Sequence, residues 1–459
     1  MCPFRGRGLQ GSRARALGTE ALVDRPAGRR VRIPPLPKFQ VVAAELGDKT
    51  VSCPEFFTGV RRPARTLGGI KVMTLVRETG LLMPSRRSLI KLAGVGAGAL
   101  GAAAALAGCS ESAVAVTPAT APVDPDAIAI MSSNENPYGP SPKAVEAMKA
   151  ELSNINRYAN GLTAKFAEMV AAREGVAPEQ VLVTNGSNPI LAAFADWVNV
   201  KGGKIVTSKI TYETVGRVAQ QVGTEIVEIP LDAELGYDLE AIAAAVGPDT
   251  GAVYICNPNN PTGRVIEPAK LKAFVEDVSS KVPVFIDEAY LDLADDYPAG
   301  VMSEFVKAGR PVIVARTFSK LYAMAGQRLG YGIMPAEIAM DIRKSGRLSS
   351  VNHLGLVAGI ASLEDTVYFE DMRMKHALAR QKLIAMAKDL GRPIAPDPQA
   401  SFIYMDVGMP AGEFSAKMLE KGVRVVGSRW PEMPNWSRIC VGLDHEIEKC
   451  HAAAKEVLA

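Results

Sequence analysis

The sequence predicts an α/β fold built on a mainly parallel central sheet, followed in the chain by a smaller α+β domain. Three observations predict it. Short apolar, strand-like runs recur at residues 181–184, 204–207, 225–229, 252–256, 284–286, 312–315 and 329–333. Helical patterns separate several of them, at 190–200, 214–222, 239–246 and 268–278. Strands joined through helices lie parallel in one sheet. Beyond about Met334 the composition changes, which marks a second folding unit.

The chain has 459 residues, 48% of them hydrophobic and 22% charged, enough for a large core and more than one domain. With 52 basic and 49 acidic residues, the net charge of +3 provides no general field for nucleic acid. Four histidines and six cysteines occur with no CxxC or HxxxH spacing, so neither a metal site nor a disulfide framework is expected. Cys256 and Cys440 lie in apolar runs and read as buried thiols.

Residues 1–82 are rich in Arg, Gly and Pro with little periodicity, and are expected to be a non-native or disordered extension. Residues 83–109 resemble a twin-arginine export signal: Arg86-Arg87, then an apolar, Ala/Gly-rich run over 92–107. That run is short for a spanning helix. It ends Leu106-Ala107-Gly108-Cys109, which resembles a lipobox whose cysteine is lipidated. The expectation is an exported, periplasmic protein, lipid-anchored at Cys109, with translation starting at Met83 or Met73. Residues 110–123 form a small, polar linker. The N-terminal arm and large domain then cover 124–345, and the small C-terminal domain 346–459.

The folded part opens on a turn-rich loop, Ser132-Ser133-Asn134-Glu135-Asn136-Pro137-Tyr138-Gly139-Pro140, and a helix over about 142–152. Arg157-Tyr158 follows in a loop, then a helix over about 163–174. From there each strand-like run ends in chemically distinctive residues. Asn185-Gly186-Ser187-Asn188 follows the first and opens a helix, whose N-terminal amides can bind an anion. Asn257-Pro258-Asn259-Asn260-Pro261-Thr262-Gly263 follows the run at 252–256, and Asp287-Glu288-Ala289-Tyr290 the run at 284–286. In open α/β sheets, ligands sit at the carboxyl ends of the strands.

The most informative stretch is 316–330, RTFSKLYAMAGQRLG, just past the strand at 312–315. Lys320 in a constricted, apolar place would lose solvation, which lowers its pKa and frees its amine for Schiff-base chemistry. Thr317, Ser319 and Arg328 offer hydroxyl donors and a forked cation for a phosphate. Arg328 reads as lying about two helical turns after Lys320. A Schiff-base lysine beside a phosphate clamp points to pyridoxal 5'-phosphate (PLP). Past the large domain, a helical stretch covers 356–388. Strands are expected at 401–407, 422–426 and 437–441, and helices at 413–420 and 445–458.

NENPYGP, Arg157-Tyr158, NPNNPTG, DEAY, RTFSK…AGQRLGYG and SRICVG, in this order, resemble the fold-type I PLP-dependent aminotransferases of class I/II, and among them the histidinol-phosphate aminotransferase group. The resemblance runs from about Asp124 to the C-terminus. It implies a large domain with a mainly parallel mixed sheet plus a small α+β domain. It also implies transfer of an amino group between an amino acid donor and an oxo acid or oxo-phosphate. By the same resemblance, Lys320 would form the internal aldimine and shuttle a proton, and Asp287 would pair with the pyridinium nitrogen. Asn257 and Tyr290 would bind the phenolate oxygen, and Tyr212 would stack on the ring. Gly186, Ser187, Thr317, Ser319 and Arg328 would hold the phosphate, with Tyr158 reaching in from a second subunit of a homodimer. Arg438 would clamp a substrate carboxylate, with Asn136 and Tyr138 also at the substrate.

The chain departs from the family pattern at several positions. Asn188 stands where an acid is frequent, Ala159 where a proline is, and Gly427-Ser428-Arg429-Trp430-Pro431 replaces an arginine-containing segment. Residues 348–353, ending in His353, are also unusual. Trp430 and His353 suggest a pocket for an aromatic side chain. The expected donor preference is therefore broad or aromatic, with histidinol phosphate secondary. Two other readings remain open: a decarboxylase, lyase or racemase on the same fold, and an exported binding lipoprotein without activity. A complete Lys320, Asp287, Tyr290 and Arg328 set argues against the last.

Overall fold

The computed structural model describes residues 128–344 and 348–459 in full. The chain divides into two units, 1–112 and 113–459. In the first, the described elements are two pairings of two-residue strands, Leu22–Val23 with Val31–Arg32 and Thr66–Leu67 with Ile70–Lys71. The twin-arginine segment, the lipobox and the linker lie outside the described residues.

In the second unit a sheet of seven strands forms the centre, in the order β2 (Val181–Thr184), β8 (Gly330–Ile333), β7 (Val312–Thr317), β6 (Val284–Asp287), β5 (Thr250–Cys256), β3 (Lys204–Ser208) and β4 (Ile226–Ile229). All pairings are parallel except those of β8, which runs antiparallel to both β7 and β2. The sheet is thus mixed and mainly parallel. Its inner strands are buried on both faces, which is why they read as continuous apolar runs, while the edge strand β4 is only partly covered. Alternate residues serve opposite layers. Val253 and Ile255 pack with Phe166, Leu271 and Leu356, while Ala252 and Tyr254 pack with Phe194, Val215 and Ile338.

Several helices start where local chemistry says they should. Ser141 accepts from Lys143 N at the start of α1 (Pro142–Glu151), and Glu267 accepts from Ala269 N and Lys270 N at the start of α6 (Pro268–Val278). The stretch at 356–388 is two helices, α9 (His353–Leu363) and α10 (Thr366–Asp389). Asp365 separates them by capping α10. Residues 411–420 and 444–458 form α11 and α12. They pack with β9 (Phe402–Asp406) and β11 (Trp436–Cys440), an antiparallel pair, in the small domain's own core.

Among the elements not anticipated are α7 (Ser303–Lys307), α8 (Ala336–Lys344) and β1 (Ala129–Ile130). β1 pairs in parallel with β10 (Val423–Arg424), so the N-terminal arm is fastened to the small domain. The helical reading between Lys320 and Arg328 is corrected. That segment is a turn ending in a 3-10 helix over Ala325–Gln327, with Arg328 itself left-handed at φ 55°.

Candidate active site

The sheet register brings the distinctive residues together. Asp287, the last residue of β6, sits opposite Cys256 on one side and Ala315 on the other. Asn257, Asp287 and the Thr317–Lys320 turn are therefore neighbours at one end of the sheet. A cavity of about 420 Å³ opens there, with Lys320, Asp287, Tyr290, Ser187, Arg328 and Arg438 among its lining residues.

Lys320 extends its Nζ to 3.4 Å from the Ser133 carbonyl oxygen and 5.6 Å from the Tyr290 ring centroid. Burial lowers its pKa to about 8, helped by the positive charges of Arg438 and Arg328. Asp287 is buried and pushed up to about 6 by desolvation, although Ala289 N at 3.2 Å, the Tyr254 hydroxyl at 3.4 Å and Lys320 all favour its charged form. Lys320 offsets this desolvation only in part, and a protonated ring nitrogen would add a second cation. Tyr290 is buried, its phenol pushed up by desolvation, and its oxygen accepts from Asn134 Nδ2 at 2.7 Å.

At the other end of the cavity the hydroxyls of Thr317 and Ser319 lie 3.0 Å apart, and Arg328 Nη1 donates to Ser319 Oγ at 3.1 Å. Gly186, at φ 84°, makes the space: a Cβ there would overlap the Arg328 guanidinium. Ser187 stands at the start of α3 (Asn188–Lys201), so two hydroxyls, a guanidinium and a helix N-terminus converge on one spot. Tyr212 lines the cavity and donates to Asn188 Oδ1 at 3.1 Å.

These residues fit a PLP group. Asn257 is buried, its Oδ1 accepts from Ile266 N at 2.8 Å, and its Nδ2 has no partner among the described residues. A buried donor left in this state is costly unless a ligand satisfies it. The donor set at Gly186, Ser187, Thr317, Ser319 and Arg328 suits a phosphate.

Arg438 is buried, with Nη1 donating to Asn260 Oδ1 at 2.5 Å and Nη2 to the Ser132 carbonyl at 2.9 Å. Arg429 also lines the cavity and pairs with Glu213. Asn260, Ser132 and Asn134 are site residues that the sequence reading did not single out. Their signal was present in the NPNNPTG and SSNENP loops that frame named positions.

Other expected residues lie apart from this cavity. Asn136 Nδ2 donates to the Leu321 carbonyl at 2.7 Å, and Tyr138 stands edge-on to His376. Tyr158 is 83% exposed on the loop before α2 (Asn160–Glu174). The aromatic pocket expected from Trp430 and His353 is not formed by them. Trp430 is buried edge-on against Tyr404, and His353 contacts Glu151 and the Arg157 carbonyl.

Fold and site together define a fold-type I PLP-dependent enzyme. The family model for aminotransferase class I and II matches residues 127–456. A histidinol-phosphate aminotransferase of Moorella thermoacetica is 35% identical over 332 residues, covering 72% of this chain and 85% of that protein. A histidinol-phosphate aminotransferase 2 of Pseudomonas fluorescens is 36% identical over 339 residues, covering 73% and 90%. Among solved structures, histidinol-phosphate aminotransferase from Sinorhizobium meliloti in complex with pyridoxal-5'-phosphate is 27% identical, with a TM-score of 0.64, covering 72% and 91%. The chain belongs to the class I and II aminotransferase family, and it is a PLP-dependent aminotransferase.

Proposed function

We propose that the enzyme passes an amino group between glutamate or its oxo acid and a second substrate with an anionic end, of the histidinol phosphate type. The observation that carries this is the presence of two arginines, Arg438 and Arg429, in the Lys320 cavity, while Arg328 donates to Ser319 in the donor set suited to a cofactor phosphate. The names of the relatives point the same way. The broad or aromatic preference expected from the sequence drew on Trp430 and His353; neither lines the Lys320 cavity, and the Trp430 ring centroid lies 5.5 Å from the guanidinium carbons of Arg438 and Arg429.

PLP, when bound, supplies the carbonyl that accepts the amino group and a ring that spreads developing negative charge. The chain's own residues do the rest. Lys320, with its pKa near 8, would hold the cofactor covalently and would move the proton at the substrate carbon. Asp287 would pair with the ring nitrogen and favour its protonated form. Asn257 and Tyr290 would donate to the phenolic oxygen of a bound cofactor, and Tyr212 would lie beside its ring. Arg438 holds the carboxylate of donor and acceptor in turn, with its fork already oriented by Asn260 and Ser132.

The test compares kcat/KM for histidinol phosphate, glutamate, aspartate and phenylalanine under one set of conditions. The anionic-ended substrates should exceed phenylalanine. Phenylalanine turning over as well as any of them would refute the two-arginine reading.

A homodimer with Tyr158 completing the neighbour's phosphate site belongs to the same proposal, and the exposure of Tyr158 supports it. Export by the twin-arginine route, with attachment at Cys109, is supported by the sequence at 86–109. An enzyme that loads its cofactor on folding suits a pathway that carries folded protein. Replacing Arg86 and Arg87 with lysine should retain the protein in the cytoplasm; unimpaired export would overturn this route.

A further inference from the structure

Cys440 ends β11 and is buried. Its backbone N–H donates to the Met131 carbonyl at 2.9 Å, which ties the strand end to the N-terminal arm. Its side chain then engages Asn134 twice. Asn134 N donates to Sγ at 3.2 Å, and Sγ stands 2.9 Å from Asn134 Oδ1. Burial pushes the Cys440 thiol up, so it is protonated at neutral pH and carries a hydrogen to donate. The sulfur already accepts from Asn134 N, so S–H donates to Oδ1. That fixes the amide of Asn134 with its oxygen toward sulfur and its nitrogen toward Tyr290.

Asn134 is itself buried and held at φ 52°, a left-handed conformation that this pair of contacts locks. Its Nδ2 donates to the Tyr290 hydroxyl at 2.7 Å. A hydroxyl that accepts on one side must direct its own hydrogen elsewhere, and for Tyr290 the open side is the cavity it lines with Lys320. A thiol is a weak donor, but here it chooses between two orientations of one amide, and so sets the direction of a hydrogen it never touches.

We propose that Cys440 is a positioning residue: through Asn134 it holds the Tyr290 O–H pointing into the cavity, as a donor to the phenolic oxygen of the cofactor. The proposal rests on the PLP reading of the cavity. Without the thiol, the Asn134 amide is free to turn its oxygen to Tyr290, and Tyr290 then donates to Asn134 and is lost to the cofactor.

The test uses Cys440→Val and Cys440→Ser in the full chain, with PLP titrated into cofactor-free protein. It also follows the pH midpoint of the bound cofactor's absorbance change. Cys440→Val should weaken PLP binding about fivefold, the size of one neutral hydrogen bond. It should raise the absorbance midpoint by about half a pH unit or more. Cys440→Ser, which keeps a donor and an acceptor, should stay within about twofold of the parent. In a Tyr290→Phe background, Cys440→Val should cause no further shift of the midpoint, since its target hydroxyl is gone. Should valine unfold the protein, Cys440→Ala removes the thiol without added bulk and carries the same expectation. A parent-like midpoint and PLP affinity in a folded Cys440→Val or Cys440→Ala variant would overturn the proposal, as would a shift that persists in full without the Tyr290 hydroxyl. Failure of the parent itself to bind PLP would instead overturn the reading of the cavity.

Discussion

Asp287 should make the cofactor-free protein less stable than it would be with a neutral residue in its place. It is buried at the end of β6 and receives two long hydrogen bonds, from Ala289 N at 3.2 Å and the Tyr254 hydroxyl at 3.4 Å. Desolvation lifts its pKa from its ordinary 3.8 to about 6. That is about two pH units, or roughly 3 kcal/mol. Between 3.8 and 6 the folded chain binds more protons than the unfolded one, so stability falls as pH rises through this window. The penalty is absent below the window and complete above it. Asp287→Asn preserves the shape and removes the charge. Without PLP the variant should be more stable than the parent by up to roughly 3 kcal/mol at pH 8, and nearly equal to it near pH 4. With PLP present the order should narrow or reverse, because only the carboxylate gains a charged ring partner. Urea unfolding of the PLP-free proteins at both pH values, repeated with saturating PLP, measures this. A PLP-free variant less stable than the parent at pH 8, or a gain of equal size at both pH values, would refute the reasoning.

Lys320→Ala should lose covalent cofactor and lower turnover by about three orders of magnitude or more, read by borohydride trapping and steady-state rates. In the parent without PLP, the Lys320 amine should react with an aldehyde probe with a midpoint near pH 8, where an ordinary lysine would need about 10.5. Arg438→Lys should raise KM for glutamate about tenfold or more while leaving PLP affinity unchanged, because a point charge cannot satisfy Asn260, Ser132 and a carboxylate together. Mixing Lys320→Ala with Tyr158→Phe subunits should restore about a quarter of the parental sites, since each hybrid dimer of shared design regains one intact site of two; no recovery on mixing would count against sharing.

The inner strands of the large domain were legible because they are buried on both faces, so Ala252 to Cys256, Val284 to Ile286 and Val312 to Ala315 run with no polar interruption. Direction was less legible. The apolar run of β8 reads the same in either sense, and only its pairing shows that it opposes β7 and β2. β1 was beyond reach: two residues form a strand only because Val423–Arg424 lies beside them, almost three hundred positions later in the chain. Helix α8 was missed for a different reason. Ile338, Ala339 and Ile342 do fall on one helical face, but a shift in composition at that point drew the domain boundary instead.

The site divides along the same line. Its cofactor end is assembled from strand ends, where the first few residues past an apolar run suffice to place Asp287, Asn257, Thr317 and Lys320. A sequence carries that arrangement directly, because the sheet sets the geometry. The substrate end is assembled from three separate segments, loops and the strand that carries Arg438. Arg429 meets Glu213 across more than two hundred residues, Arg438 meets Ser132 across more than three hundred, and Trp430 turns into a packing contact with Tyr404. No local pattern sets those directions, so the same kinds of residue, an arginine and a tryptophan side by side, could be read as a pocket for an aromatic ring. The contacts give them opposite tasks: the tryptophan braces the small domain, and the arginine, paired with an acid at the cavity wall, is the group a second anion would have to draw away. Discrimination between substrates should therefore respond to changes at Glu213 and Arg429 and be indifferent to changes that keep Trp430 packed.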